Sequence, residues 1–502
     1  MYSGRGFRNF EIGDVDVVKV GDTFHLFHLV LPNHDYIAHA VSKDGLNWER
    51  VENALFISDP GAWDDDMLWT MHVSPDPYNE GAWRMFYTGL SMREQGRVQR
   101  IGLARSKDLY TWEKDTSGDY PLEISGDKYE TSVDEGRHWV SFRDPFAFME
   151  DGTCYLLAAA RVNKGPIIRR GCAALVKEVA ENEFEVLPPL FHPRRYDDFE
   201  VPTLVKMQNR YYLLGSIRED VKVHYWCADT LHGPYLNFYD NVILPQGNYA
   251  ARVCHDGERV LIWNFFYKGR TTQGDHMLPP PKELVVDENG ELRLSSFHGF
   301  DAKVEKCLEA GDLTPLEPLL DNPSASGDVQ DASCWFGTES GFEAFLLQGS
   351  YRDVRFSGEL HLEGHGKLGL VLRLDNEGNG YYLSLDVFKG IAQLRAWQAT
   401  PDGSFESSFQ YDQLQAAHYV ATPGPYPFQL LTYGNYLEFC LNGEVLLTLA
   451  DDHFRAGRVG FYAESARVRV EKVKLEVLET PTTEDYPSVA QKDSETPAVL
   501  KH

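Results

Sequence analysis

The 502-residue chain has seven cysteines, an odd number, and no Cys-x-x-Cys pair anywhere between Cys154 and Cys440. That scatter excludes a disulfide framework and a structural zinc site, and makes buried free thiols the expected state. Long apolar runs are missing too: no stretch of about 18 apolar residues occurs, so no helix of this chain is expected to cross a membrane. Met1–Phe10 carries arginines but no apolar segment of the kind a secretion signal needs, which makes the cytoplasm the expected location. Positive charge is short as well, with 48 Lys and Arg against 76 Asp and Glu and a formal net charge of −28. Such a surface repels nucleic acid and anionic membranes, and suits neutral sugars better than phosphorylated ligands. Helix signals are scarce. Gly, Asp and Asn turns cut the sequence into short aromatic and β-branched runs, the pattern of an all-β protein.

What the chain does have is repetition, and at 43% apolar and 13% aromatic it is large enough for two domains. Unit one runs from Asp14-Val15-Asp16 through a turn at Gly21-Asp22 to Ser42-Lys43-Asp44-Gly45-Leu46-Asn47-Trp48. Unit two closes on Ser106-Lys107-Asp108-Leu109-Tyr110-Thr111-Trp112, repeating the Ser-Lys-Asp-x-x-x-Trp ending. Unit three opens at Arg143-Asp144-Pro145, unit four at Glu200-Val201-Pro202, and unit five holds Ala250-Ala251-Arg252-Val253. About four strands per unit predict five four-stranded blades around an axis. After Leu292 the pattern changes to a Pro-, Asp- and Ser-rich stretch. Regular strands then follow, with a clear hairpin turn at Asn442-Gly443. The expected fold is all-β: a five-bladed β-propeller over 1–315, a linker over 316–341, a C-terminal β-sandwich over 342–480 and a disordered tail over 481–502.

In a propeller the innermost strand of each blade begins near the axis. Asp14 (with Asp16), Asp144 and Glu200 stand at such starts, and blade two offers Asp64-Asp65-Asp66 slightly earlier. Converging carboxylates repel one another, a costly arrangement for structure and a useful one for acid–base chemistry. Pro145 has no amide hydrogen and fixes its own φ, which sets Arg143 and Asp144 at the mouth of a strand. His72, His255 and His276 show no metal-ligand spacing, so neither metal nor cofactor is expected.

Four motifs taken together carry a resemblance: Phe142-Arg143-Asp144-Pro145, Glu200-Val201-Pro202, the two Ser-Lys-Asp-x-x-x-Trp endings, and Leu278-Pro279-Pro280-Pro281-Lys282-Glu283-Leu284. In this order, and over nearly all of the chain, they resemble the glycoside hydrolases of family 32, the invertase, levanase and inulinase group. That group is a five-bladed propeller followed by a β-sandwich. Val201 stands where the family's motif has Cys, and Gly13-Asp14-Val15-Asp16 replaces its Asn-Asp-Pro-Asn box. Counting back from Gly21-Asp22-Thr23-Phe24 makes Asp14 the match for the acid of that box, with Asp16 second. Family 43, the inverting arabinanases and xylosidases, shares the propeller and an Asp-Asp-Glu set. Arg143 and the Leu278–Leu284 run favour family 32.

The resemblance implies a retaining, two-carboxylate hydrolase of β-fructofuranosides such as sucrose or fructans. Asp14 would be the nucleophile and Glu200 the general acid and base. Asp144 would hold sugar hydroxyls and steady the transition state, oriented by Arg143. Asp16, Asp66, Trp69 and Arg143 are the expected substrate contacts. Trp69 is preferred over Trp48, Trp112 and Trp263 because it follows the Asp64–Asp66 run. The alternatives are an inverting arabinofuranosidase or xylosidase, a transglycosylase, and a non-catalytic sugar-binding propeller, although a lectin has no need of Glu200. The expected partner is an oligosaccharide or small glycoside, and the expected state a monomer or homodimer. No run of exposed aromatics at sheet spacing stands out in Phe342–Leu478, so the sandwich is expected to cover a blade edge or support a dimer.

Overall fold

The computed structural model describes residue 2 and residues 11–125, 127–267, 277–313, 316–330, 333–399 and 409–481. His276 and all of the 481–502 tail except Pro481 lie outside the described residues. Five sheets follow one another along the first 295 residues, each an antiparallel meander in chain order. Their inner strands are Glu11–Val20, Met67–Pro75, Phe142–Glu150, Glu200–Met207 and Asn248–Asp256. The core is divided among the blade interfaces. Phe27 packs with Leu68 and Met71 between blades one and two. Phe86 meets Phe142 and Leu156 between two and three. Phe146 meets Leu204 and Leu213 between three and four, and Leu214 meets Ile262 between four and five. Val15 and Leu26 close the ring against Leu261 and Trp263 of blade five. Each inner strand is buried on both faces over most of its length, its charged residues included, so Asp16, Arg143, Glu200 and Arg252 are enclosed with the apolar ones.

The repeated Ser-Lys-Asp-x-x-x-Trp ending is a self-capped turn, the same in both blades. The hydroxyl of Ser42 accepts from Gly45 N at 2.9 Å, and that of Ser106 accepts from Leu109 N at 2.9 Å. Asp44 and Asp108 each accept from the amide three residues on, at 2.7 Å. The indoles of Trp48 and Trp112 then donate back to Gly45 O and Leu109 O. Side chains that satisfy their own turn need no outside partner, so the motif serves structure.

The second domain begins earlier than the sequence predicts. The stretch read as part of the propeller and as a linker, 304–341, supplies strands to the sandwich. Val304–Glu309 pairs with Arg467–Leu478, and Ala325–Gln330 pairs with Ser333–Thr338. Among the described residues, Ala325–Gln330 is an edge strand with a ladder neighbour on one side. Such a strand needs no apolar alternation, and its polar sequence is what gave it the look of a linker. The two sheets of the sandwich enclose a core of Phe336, Phe356, Leu370, Leu383, Phe439 and Phe461, among others. One sheet also faces the propeller: Leu431, Tyr433, Tyr436 and Ala450 join the core of blades one and five, while Cys440 and Val445 join that of four and five. Asn248 of blade five donates to Thr448 O at 3.0 Å across this boundary. All seven cysteines are free, six of them buried and Cys307 exposed. Among the described residues no helix is long and apolar enough to cross a membrane.

Candidate active site

Every inner strand carries a register shift near its start. The shifts fall between Ile12 and Val15, Trp69 and Met71, Arg143 and Phe146, Glu200 and Thr203, and Tyr249 and Arg252. A β-bulge inserts unpaired residues and re-aims side chains, and here it does so five times around one axis. Asp144, Val201 and Ala250 occupy the bulges with left-handed φ angles of 58, 48 and 54°. The last paired residues before the bulges, Trp69, Arg143, Glu200 and Tyr249 among them, therefore ring the mouth. The three predicted catalytic acids hold three different places in this pattern: Glu200 precedes its bulge, Asp144 is the first residue of its own, and Asp14 is the second of its own.

Each acid is held by a neighbouring blade. Asp14 accepts from the hydroxyl of Thr70 on blade two. Asp144 accepts from Val201 N on blade four at 3.0 Å, and its own amide donates to the hydroxyl of Thr88 on blade two at 3.0 Å. Glu200 has both oxygens engaged. Arg143 and Arg218 donate to Oε1 at 2.7 and 2.5 Å, and the hydroxyl of Tyr249 donates to Oε2. Arg143 also reaches Asp198 at 3.2 Å, and its Nε lies 3.4 Å from Asp144. Beneath them Arg252, fully enclosed, donates to Pro145 O and Pro202 O and so ties blade five to blades three and four.

Burial pushes the Asp14 carboxyl up from 3.8 to about 7, helped by the charges of Asp144 and Glu200 and opposed by Thr70 and Arg252. Burial likewise raises Glu200, against the pull of Arg143 and Arg218. Burial and Glu200 hold the Tyr249 hydroxyl far above its usual range, so it stays a donor. The result is two carboxyls that cannot easily both be charged.

The remaining expected contacts separate. Trp69 and Arg143 line a cavity of about 680 Å³ with Gln99, Arg97, Arg137 and Arg218. Asp66 is half-buried beside Gly96, which lines the same cavity. Its neighbours are used up structurally: Asp64 pairs with Lys114 and Tyr87, and Asp65 accepts from the amides of Gly61 and Met92. Asp16 corrects the expectation of a sugar contact. Two residues further along its strand it is 1% exposed, accepting from Val73 N at 2.6 Å with His72 at 3.3 Å. It fastens blade one to blade two and leaves Asp14 as the acid at the mouth. Trp48, Trp112 and Trp263 are core. Sequence reasoning missed Thr70, Arg218, Tyr249 and Arg252. Aligning Asn248-Tyr249-Ala250-Ala251 with Phe199-Glu200-Val201-Pro202 would have exposed Tyr249, since both tetrapeptides surround the same bulge.

Five blades closed on a ring of coupled acids, with a sandwich docked on blade five, define a propeller glycosidase. Residues 16–265 match the N-terminal domain of the glycosyl hydrolases family 32, and the chain belongs to that family. The match begins just past Asp14, in keeping with the altered first motif. Solved structures of similar fold include fructan 1-exohydrolase IIa from Cichorium intybus, at 13% identity and a TM-score of 0.66, covering 94% of this chain and 96% of that one. A family 32 β-fructofuranosidase from Bombyx mori follows at 15% and 0.64, covering 95% and 92%. Sucrose-6-phosphate hydrolase from Lactobacillus gasseri stands at 13% and 0.66, covering 94% and 91%. No curated protein sequence matches the chain.

Proposed function

We propose that the chain hydrolyses β-fructofuranosides, sucrose or short fructans, with retention at the anomeric carbon. The observation that carries this reading is the placing of Asp14, Asp144 and Glu200 at the bulges of blades one, three and four, at one mouth, with the carboxyls of Asp14 and Glu200 both raised by burial. Asp14 attacks the anomeric carbon while Glu200 protonates the leaving oxygen. Water activated by Glu200 then releases the sugar from Asp14. With Glu200 protonated, Asp14 loses a neighbouring negative charge and ionises more readily. Arg143 joins Asp144 to Glu200 and fixes both, and Asp144 accepts sugar hydroxyls. The sugar chemistry also has support in relatives of the same fold, which include structures of a fructan exohydrolase with 1-kestose and of a β-fructofuranosidase with sucrose.

The test is fructose release from sucrose and inulin-type oligosaccharides. Wild type should release fructose and Asp14→Asn should lose at least about 10³-fold in kcat. With methanol as acceptor, a retaining enzyme gives the β-methyl fructoside. No fructose from wild type, with arabinose released from an arabinofuranoside instead, would overturn the substrate assignment; an inverted product would overturn the mechanism. Arg97 and Arg218 at the exposed rim of the cavity favour one further reading, a phosphorylated form of the sugar. Sucrose 6-phosphate therefore belongs beside sucrose in the assay, and a lower KM for it would decide for that form.

A further inference from the structure

The sheet of the sandwich that holds Gly380–Asp386, Ile391–Ala399 and Arg458–Glu464 has an outer face unlike an ordinary solvent face. Burial alternates along Gly380–Asp386 and Ile391–Ala399: Tyr381, Leu383 and Leu385 point into the sandwich core, so Tyr382, Ser384 and Asp386 point outward. Gln393, Arg395 and Trp397 share that outer face on the next strand. Together they line a cleft of about 790 Å³. Across it the rings of Phe342, Tyr462, Tyr382, Trp397 and Phe409 follow one another, at centroid distances of 5.1, 6.4, 5.2 and 5.4 Å. A bare position makes room for them: a Cβ at Gly369 would lie 2.2 Å from the ring of Tyr462.

The polar groups between the rings narrow the choice of occupant. Lys367 pairs with Glu464 at 3.2 Å and Lys389 stands 3.9 Å from Asp386, so the charged ends at the rim are already matched. On a chain of net charge −28 this face offers no excess of either sign to an ionic partner. Gln393, Gln398 and Asn379 add planar amides beside the rings. Among the described residues, the Trp397 indole nitrogen and Arg395 Nε are buried without a hydrogen-bond partner. Aromatic faces next to amides and balanced charges match the alternating C–H and hydroxyl surfaces of a neutral sugar chain.

We infer that this cleft is a second carbohydrate-binding site, which holds a neutral oligosaccharide segment away from the catalytic mouth. The inference rests on the reading of the chain as an enzyme of neutral sugars. Its test is affinity electrophoresis of the full chain carrying Glu200→Gln, in gels containing inulin, levan, arabinan or soluble starch. At least one polymer should retard migration, and Trp397→Ala should weaken the apparent affinity about tenfold or more. In the otherwise native enzyme, Trp397→Ala should leave release of fructose from sucrose unchanged. Phe409→Ala, at a half-exposed ring, gives the same result without disturbing the sheet, and decides the matter if Trp397→Ala fails to fold. Absence of retardation by all four polymers, or retardation unaffected by either variant, overturns the proposal. So does a change of oligomeric state in Trp397→Ala, which would assign the face to a second copy of the chain. Retardation without any release of fructose keeps the cleft and overturns the substrate reading instead.

Discussion

Asp14 is held in surroundings that favour its uncharged form. Its carboxyl in the folded chain titrates near 7, above the ordinary value of 3.8, so ionising it costs the fold. A group raised in this way contributes its stability in full below about pH 4, and loses it as pH rises through about 7. Asp14→Asn, which cannot ionise, should therefore melt higher than wild type at pH 8, by on the order of 2 kcal/mol. The gap should close toward pH 4. Thermal unfolding at the two pH values checks this, and equal midpoints at pH 8 would refute the coupling. Thr70 provides a second handle, because its hydroxyl bond favours the charged form of Asp14. Thr70→Val keeps the shape and removes that bond. The acidic limb of kcat/KM should then move upward by about one pH unit. A limb that stays in place would mean that another group governs it.

The bulges act at the scale of the strand. Thr88, on the second strand of blade two, accepts the amide of Asp144 and so holds that residue in its left-handed conformation. Thr88→Val is nearly isosteric but leaves a buried amide unpaired, which should cost about 1–3 kcal/mol. It should also misplace the carboxylate, lowering kcat roughly ten- to hundredfold with a smaller change in KM. Steady-state kinetics beside chemical denaturation separate the two effects, and a variant less stable but fully active would show that Asp144 is positioned without Thr88. This level of organisation explains what could be read in advance and what could not. The five blades were legible because short strand runs recur in units, and two of the units end in the same turn residues: Ser42 with Asp44, and Ser106 with Asp108. The acids were legible as types near strand starts. Arg143-Asp144-Pro145 and Glu200-Val201-Pro202 look alike as tripeptides, yet the bulge falls one residue apart on their acids, and register of that kind leaves no mark in composition. Asp16 was misread for the same reason, since only the pairing with blade two turns it inward. The aromatic row on the sandwich escaped notice because each strand contributes one ring and no single strand carries a run.

The two domains share core, and their boundary holds a buried charge. Lys282, in the Pro-rich run of blade five, is fully enclosed, 5.2 Å from the ring of Tyr436 on the sandwich. Burial pulls its ammonium down to about 8, and Glu438 on the sandwich resists that shift. Glu438 is 1% exposed and accepts from the hydroxyl of Tyr436 at 2.6 Å. Lys282 donates to Pro280 O at 3.2 Å and Glu438 supports its charge, so emptying that enclosed place should cost on the order of 1–3 kcal/mol. Lys282→Met should therefore destabilise the whole chain. Adding Glu438→Gln should recover most of the loss, because the double variant buries no unmatched charge. Since Leu431, Tyr433 and Tyr436 belong to the core of blades one and five, the domains should also unfold as one. Calorimetry should show a single transition for wild type, displaced downward by Lys282→Met and largely restored in the double variant. Two separate transitions in wild type, or a shift confined to one of them, would mean that the sandwich is an independent body that leans on the propeller without sharing its stability.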